Sequence, residues 1–72
     1  MAMVMDLKGL KCPQPVLKIA IKASSIPAGT SVEVLADCST FPEDIKKWCQ
    51  DSGRVLISCV DHGGVYTATI QF

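Results

Sequence analysis

Seventy-two residues, 49% of them hydrophobic and 19% charged, supply one small core, because a chain of this size buries only ~60% of the surface that its unfolded form exposes. Seven basic and seven acidic side chains cancel to zero formal charge, which argues against direct nucleic-acid binding, whose footprint is a basic excess. No apolar run approaches the ~20 residues that span a bilayer, and Met1-Ala2-Met3-Val4-Met5 lacks the basic stretch of an export signal.

Residues 1–72 therefore read as a single cytoplasmic domain whose four cysteines stay reduced rather than paired. A first strand, β1, is expected over Met3–Leu7, with Met3, Met5 and Leu7 on one face. Cys12-Pro13-Gln14-Pro15 follows, where a strand hands over to a helix. Proline is tolerated in the first helical turn, since the amide it lacks has no intrahelical partner there. With Cys12 as the N-cap, Pro13 takes the first helical position and Pro15 the third. The sulfur then faces unpaired amide hydrogens at the positive end of the helix dipole, a setting that lowers a thiol pKa and favours the reactive thiolate. Cys12 is thus a candidate nucleophile; the competing reading is an inert cysteine buried at a helix start.

The first helix, α1, is expected over Val16–Ser25, with Val16, Leu17, Ala20, Ala23 and Ser24 inward, Lys18 and Lys22 outward, and Ile19 and Ile21 widening the apolar surface. Pro27-Ala28-Gly29 ends it in a turn. Ser31–Ala36 forms β2, with Val32, Val34 and Ala36 in phase. Thr40-Phe41-Pro42-Glu43 fits a capping box for α2, whose inner face runs Phe41, Ile45, Trp48, Cys49 until Gly53 stops it. Arg54–His62 (β3) and Val65–Phe72 (β4) form a hairpin around Gly63-Gly64, with Tyr66, Ala68, Ile70 and Phe72 inward. The order βαβαββ, with right-handed crossovers, gives an α+β two-layer sandwich: two helices on one face of four strands.

The run Asp6-Leu7-Lys8-Gly9-Leu10-Lys11-Cys12-Pro13-Gln14-Pro15 resembles the Asp-x-x-Gly-x-x-Cys-Pro-x-Pro signature of the TusA/SirA/YeeD-like sulfur carriers. Asp37 after the second strand, and Asp44-Ile45 with Trp48-Cys49, resemble weaker features of the same family, so the likeness spans nearly the whole chain. It implies a mixed sheet in the order β1-β2-β4-β3 with the last strand antiparallel. It also implies that Cys12 accepts a persulfide sulfur from a donor protein, such as a cysteine desulfurase or rhodanese-like protein, and passes it to an acceptor protein. Such a chain is a sulfurtransferase-like relay protein rather than a multiple-turnover enzyme. The flow could serve tRNA thiolation, molybdenum cofactor synthesis, sulfur oxidation or selenium metabolism, and the residues do not choose among them.

Around Cys12, Gly9 lets the loop turn close to the sulfur, and Asp6 can orient that loop by accepting a hydrogen bond. Lys8, Lys11 and Lys18, with no acidic residue between Asp6 and Glu33, favour an anionic sulfur and offer a docking patch to an acidic partner; the plainer reading is a solvated face. Cys38 departs from the family pattern, in which Asp is followed by Asp or Asn-like residues and Pro. Both Cys12 and Cys38 follow parallel strands, where reactive groups gather in open α/β sheets. Cys38 is a candidate second thiol that could resolve a Cys12 persulfide, or else a loop residue out of reach. Cys49 reads as a small core residue beside Ile45, and Cys59, alternating with Val55 and Ile57 on a strand, reads as a small core residue too. His62 reads as a solvated turn residue rather than a proton shuttle. No Cys-x-x-Cys pair is present, so no metal site is expected, nor any cofactor. The chain is expected to be a monomer. Two alternatives stand beside the carrier: a thiol-disulfide oxidoreductase using Cys12 with Cys38, and a non-catalytic regulatory module binding protein or RNA.

Overall fold

The structure, a computed structural model, describes residues 2–11 and 14–72. Its elements are β1 (Ala2–Asp6), α1 (Gln14–Ala23), β2 (Ser31–Ala36), α2 (Phe41–Ser52), β3 (Val55–His62) and β4 (Val65–Gln71). The strands form one mixed sheet in the order β1-β2-β4-β3. β1 runs parallel to β2, pairing Ala2 with Ser31 through Asp6 with Leu35. β4 is antiparallel to both its neighbours, facing Val34 with Ala68 on β2 and Cys59 with Ala68 on β3. The two helices pack side by side over one face of this sheet, giving the α+β two-layer sandwich.

The core follows from side-chain alternation on the two central strands. Val32, Val34 and Ala36 of β2 and Ala68 and Ile70 of β4 are fully buried beneath Phe41 and Ile45 of α2 and Ile19 of α1. Met3, Met5, Leu7, Tyr66 and Phe72 pack against this cluster from the flanks. Gly63 and Gly64 both take positive φ, 65° and 100°, the backbone that a two-residue hairpin turn requires and that glycine adopts without a Cβ clash.

Helix α1 differs from the expected phase. Its buried residues are Pro15, Ile19 and Ala23, while Leu17 is 54% and Ile21 74% exposed, and Ala20 and Ser24 face outward. Ile19 is the centre of the stripe rather than its margin. The apolar set at steps of four, four and three (Pro15, Ile19, Ala23, then Ile26) fits the helical period better than one begun at Val16. The helix also ends at Ala23, where the amides of Ser25 and Ile26 turn back to the carbonyls of Lys22 and Ala23. Its first described residue is Gln14; Cys12 and Pro13, the expected cap and first position, lie outside the described residues, and with them the expected placing of Pro15 as third.

Two further expectations change. Thr40 is the N-cap of α2, but its side chain makes no cap hydrogen bond. With φ −97° and ψ 3° it lacks the extended backbone of a capping residue, and its hydroxyl instead donates to Asp44 Oδ2 at 2.9 Å. On β3 the register shifts between Leu56 and Ser58. This bulge at Ile57 breaks the simple alternation. Leu56 and Cys59 therefore turn to the core, while Val55 and Ile57, expected to share a face with Cys59, are 60% and 55% exposed.

Candidate functional site

The carboxyl ends of the parallel pair β1 and β2 bring together two turns. The ladder continues one bond beyond β1, where the Leu7 amide donates to the Leu35 carbonyl at 2.7 Å. The chain then leaves the sheet, and its next two amides are taken by carboxylates. Lys8 N–H donates to Asp6 Oδ1 at 3.1 Å. Gly9 N–H donates to both oxygens of Asp37, at 3.1 and 3.2 Å. Gly9 has φ +86°, a left-handed conformation that costs other residues a Cβ clash. Further on, the Gln14 amide closes onto the Lys11 carbonyl at 2.8 Å as α1 begins.

Between these turns lies an open cleft of about 470 Å³, lined by Gly9, Leu10, Lys11, Asp37, Cys38 and Ser39. Cys38 is only 7% exposed. Against the expectation that all four cysteines stay reduced, it is disulfide-bonded, and its Sγ lies 3.6 Å from the Thr40 hydroxyl. Cys49 and Cys59 are free thiols away from the cleft. Burial pushes the Cys49 thiol pKa up, with the Arg54 charge partly offsetting it. Burial also raises that of Cys59, and Asp61 adds to the effect. Both therefore stay protonated at neutral pH and are poor nucleophiles.

Of the residues singled out from the sequence, Asp6, Lys8, Gly9, Lys11 and Cys38 gather at this end of the sheet. Lys8 Nζ stands 3.8 Å from Asp6 Oδ2, both groups well exposed, so its charge is turned partly to its own loop. Lys11 is exposed and lines the cleft; Lys18 is exposed on α1 and does not. Pro15 is buried under the start of α1. Cys12 and Pro13 lie outside the described residues, as does the expected juxtaposition of Cys12 with Cys38. His62 is exposed at the β3–β4 hairpin. Because β4 pairs Tyr66 with Ala36, that hairpin projects from the same end of the sheet as the cleft, on the opposite edge. Asp37 was not among the expected site residues. Its partner is 28 positions away, and no local pattern in a sequence encodes such a contact.

Fold and site together define a small two-layer α+β protein built around a cysteine-bearing β-to-α turn. The chain belongs to the TusA sulfurtransferase family, whose model matches residues 3–72. A Neisseria meningitidis protein provisionally named as a sulfur carrier is 33% identical over 67 residues, covering 93% of this chain and 90% of that one. The sulfur carrier protein TusA of Pseudomonas putida is 30% identical over 68 residues, covering 94% and 85%. The crystal structure of a SirA-like protein from Desulfitobacterium hafniense superposes with a TM-score of 0.82 at 25% identity, over 96% of this chain and 95% of that one.

Proposed function

We propose that this protein is the carrier stage of a sulfur relay, with Cys12 as the residue that bears the sulfur. The Cys12 thiolate attacks the terminal sulfur of a donor persulfide. The donor's sulfur–sulfur bond breaks, its cysteine leaves as a thiolate, and Cys12 holds the new persulfide. An acceptor thiolate then repeats the attack on the terminal sulfur and restores Cys12. No electrons are gained or lost overall, so the cycle requires neither metal nor redox cofactor.

The observation that carries this reading is the family match, which runs through the segment bearing Cys12. Three features support it. The preceding turn is tied down by two carboxylates, that of Asp6 at the end of β1 and that of Asp37 just past β2, Lys11 brings positive charge to the cleft, and helix α1 follows immediately. A thiolate at such a place is a good nucleophile and a good leaving group. The donor is a protein persulfide of the cysteine desulfurase or rhodanese-like kind, and the acceptor a protein cysteine. Residues 1–72 act as one cytoplasmic carrier domain, monomeric between encounters, with Lys11 and Lys18 contributing to docking.

A second thiol role for Cys38 is favoured by its disulfide-bonded state beside the cleft. The Cys38 thiolate attacks the inner sulfur of a Cys12 persulfide; a Cys12–Cys38 disulfide forms and hydrosulfide leaves. In this branch the two cysteines are oxidised and the transferred sulfur is reduced.

The test is intact mass after incubating reduced protein with a cysteine desulfurase and cysteine, or with a rhodanese and thiosulfate. Wild type is expected to gain one sulfur atom that reductant removes, and Cys12→Ser to gain none. Equal loading of both proteins, or of neither, overturns the carrier reading. Cys38→Ser is expected to load normally and to abolish hydrosulfide release.

A further inference from the structure

Asp37 stands one residue beyond β2, yet its carboxylate does not pair with any cation within 4 Å among the described residues. Lys11, which lines the same cleft, is not its partner. Both oxygens turn instead to one backbone amide, that of Gly9. That amide belongs to the left-handed residue at which β1 turns away from the sheet. Gly9 lies three positions before Cys12, and Asp37 directly precedes Cys38. One hydrogen-bonded contact thus ties the two cysteine-bearing segments together across the sheet end.

The strand ladder cannot do this alone. The register of β1 and β2 ends at Asp6 and Leu35, with one further bond from Leu7, so Lys8 and Gly9 have no ladder partners on β2. Asp6 fixes the Lys8 amide from within the same turn, which shapes the turn without anchoring it to the rest of the molecule. Asp37 supplies the anchor. A charged acceptor makes this bond stronger than a neutral one would, and glycine at the donor position lets the backbone take the φ that aims its amide there.

We propose that Asp37 is a positioning residue for sulfur transfer, acting on Cys12 through the Gly9 amide. The inference rests on the carrier reading above and adds to it which group holds the sulfur-bearing turn in register. Transfer between two proteins demands in-line approach of a thiolate to a persulfide, and small misplacements in such steps cost up to about a hundredfold in rate.

The test measures persulfide loading and hand-off rates for wild type, Asp37→Ala and Asp37→Asn, alongside the Gly9 amide proton in a nitrogen-15 NMR spectrum and the pH profile of Cys12 alkylation. Asp37→Asn keeps an acceptor oxygen and is expected to stay within about threefold of wild type, whereas Asp37→Ala slows transfer by about tenfold to a hundredfold. The Gly9 amide resonance should move upfield in Asp37→Ala and stay near its wild-type position in Asp37→Asn. Asp37→Ser, whose hydroxyl is too short to reach Gly9, should match Asp37→Ala and serves if that variant folds poorly. Wild-type rates in Asp37→Ala overturn the inference and leave the carrier reading intact. Equal slowing in Asp37→Ala and Asp37→Asn, with a shifted alkylation profile, overturns it in favour of a charge effect. Failure of wild type itself to load sulfur removes the carrier reading, and the positioning role falls with it.

Discussion

Arg54 places its guanidinium carbon 5.2 Å from the centroid of the Trp48 ring. Phe72 presents a second ring at 4.8 Å, and the two aromatic rings lie 6.1 Å apart at 46°. The Arg54 amide meanwhile donates to the Cys49 carbonyl at 2.9 Å, so the residue after Gly53 closes the end of α2 and brings a cation to the negative pole of its dipole. This clasp joins α2 to the end of β4 at the edge of the sandwich far from the cleft.

Arg54→Ala is therefore expected to lower stability by about 1–2 kcal/mol, through lost stacking and lost packing of the aliphatic stem. Arg54→Lys should lose less, since the charge remains while the flat guanidinium stack is gone. Urea unfolding followed through Trp48, the one tryptophan of the chain, measures both. An unchanged midpoint in Arg54→Ala would show the clasp to be decorative.

The phase of α1 makes a sharp contrast between neighbours. Ile19 is 0% exposed and Leu17 54%, so Ile19→Ala should cost about 2–5 kcal/mol as a core cavity. Leu17→Ala should cost under about 1 kcal/mol. Reversal of that order in chemical denaturation would return α1 to the rotation expected from Val16.

Thr40 occupies a capping position without making the capping bond. Replacing a working threonine cap by alanine costs ~1 kcal/mol, and here Thr40→Ala is expected to cost less than about half of that. A loss above 1 kcal/mol would mean that the link to Asp44 carries the stabilisation that the missing cap does not.

The buried Cys49 thiol links stability to pH. Its pKa in the folded protein is raised from 9.0, chiefly by burial, so folding favours the protonated thiol. The contribution is complete below the unfolded-state pKa and is lost as pH rises above it toward the folded value. Wild type should lose stability above about pH 9 faster than Cys49→Ala does, whatever the two differ by at pH 7. Parallel curves for the two proteins between pH 8 and 10.5 would contradict the assignment. Cys59, shifted the same way, gives a second and independent slope.

Much of this molecule was legible in its residues because the signals were local. The period-two pattern of Val32, Val34 and Ala36 marks β2, the glycine pair marks the hairpin, and Phe41, Ile45 and Cys49 mark the inner face of α2. The strand order came from likeness to a family, since nothing in the βαβαββ succession alone places β4 between β2 and β3. What escaped were features set by partners far along the chain. The rotation of α1 depends on which side of Ile19 meets the sheet. The outward facing of Val55 and Ile57 depends on an extra residue at Ile57, which alternation cannot announce. Thr40 has the sequence of a capping box, but its ψ is fixed by the turn it ends. Asp37 shows in the sequence only as a weak likeness to the family, with no role attached, until Gly9 is found across the sheet.

The shift at Ile57 has a bearing on behaviour at high concentration. β3 is an outer strand of the sheet, and it carries Val55, Ile57 and Val60 to solvent. A straight apolar outer strand offers its free amides and carbonyls as a template on which further chains can add, the first step toward fibrils. By interrupting the register partway along, the bulge bends and twists this border so that no uninterrupted row is presented. The same irregularity that hid the facing of Val55 and Ile57 from the sequence thus guards the protein against growing into aggregates from its own edge.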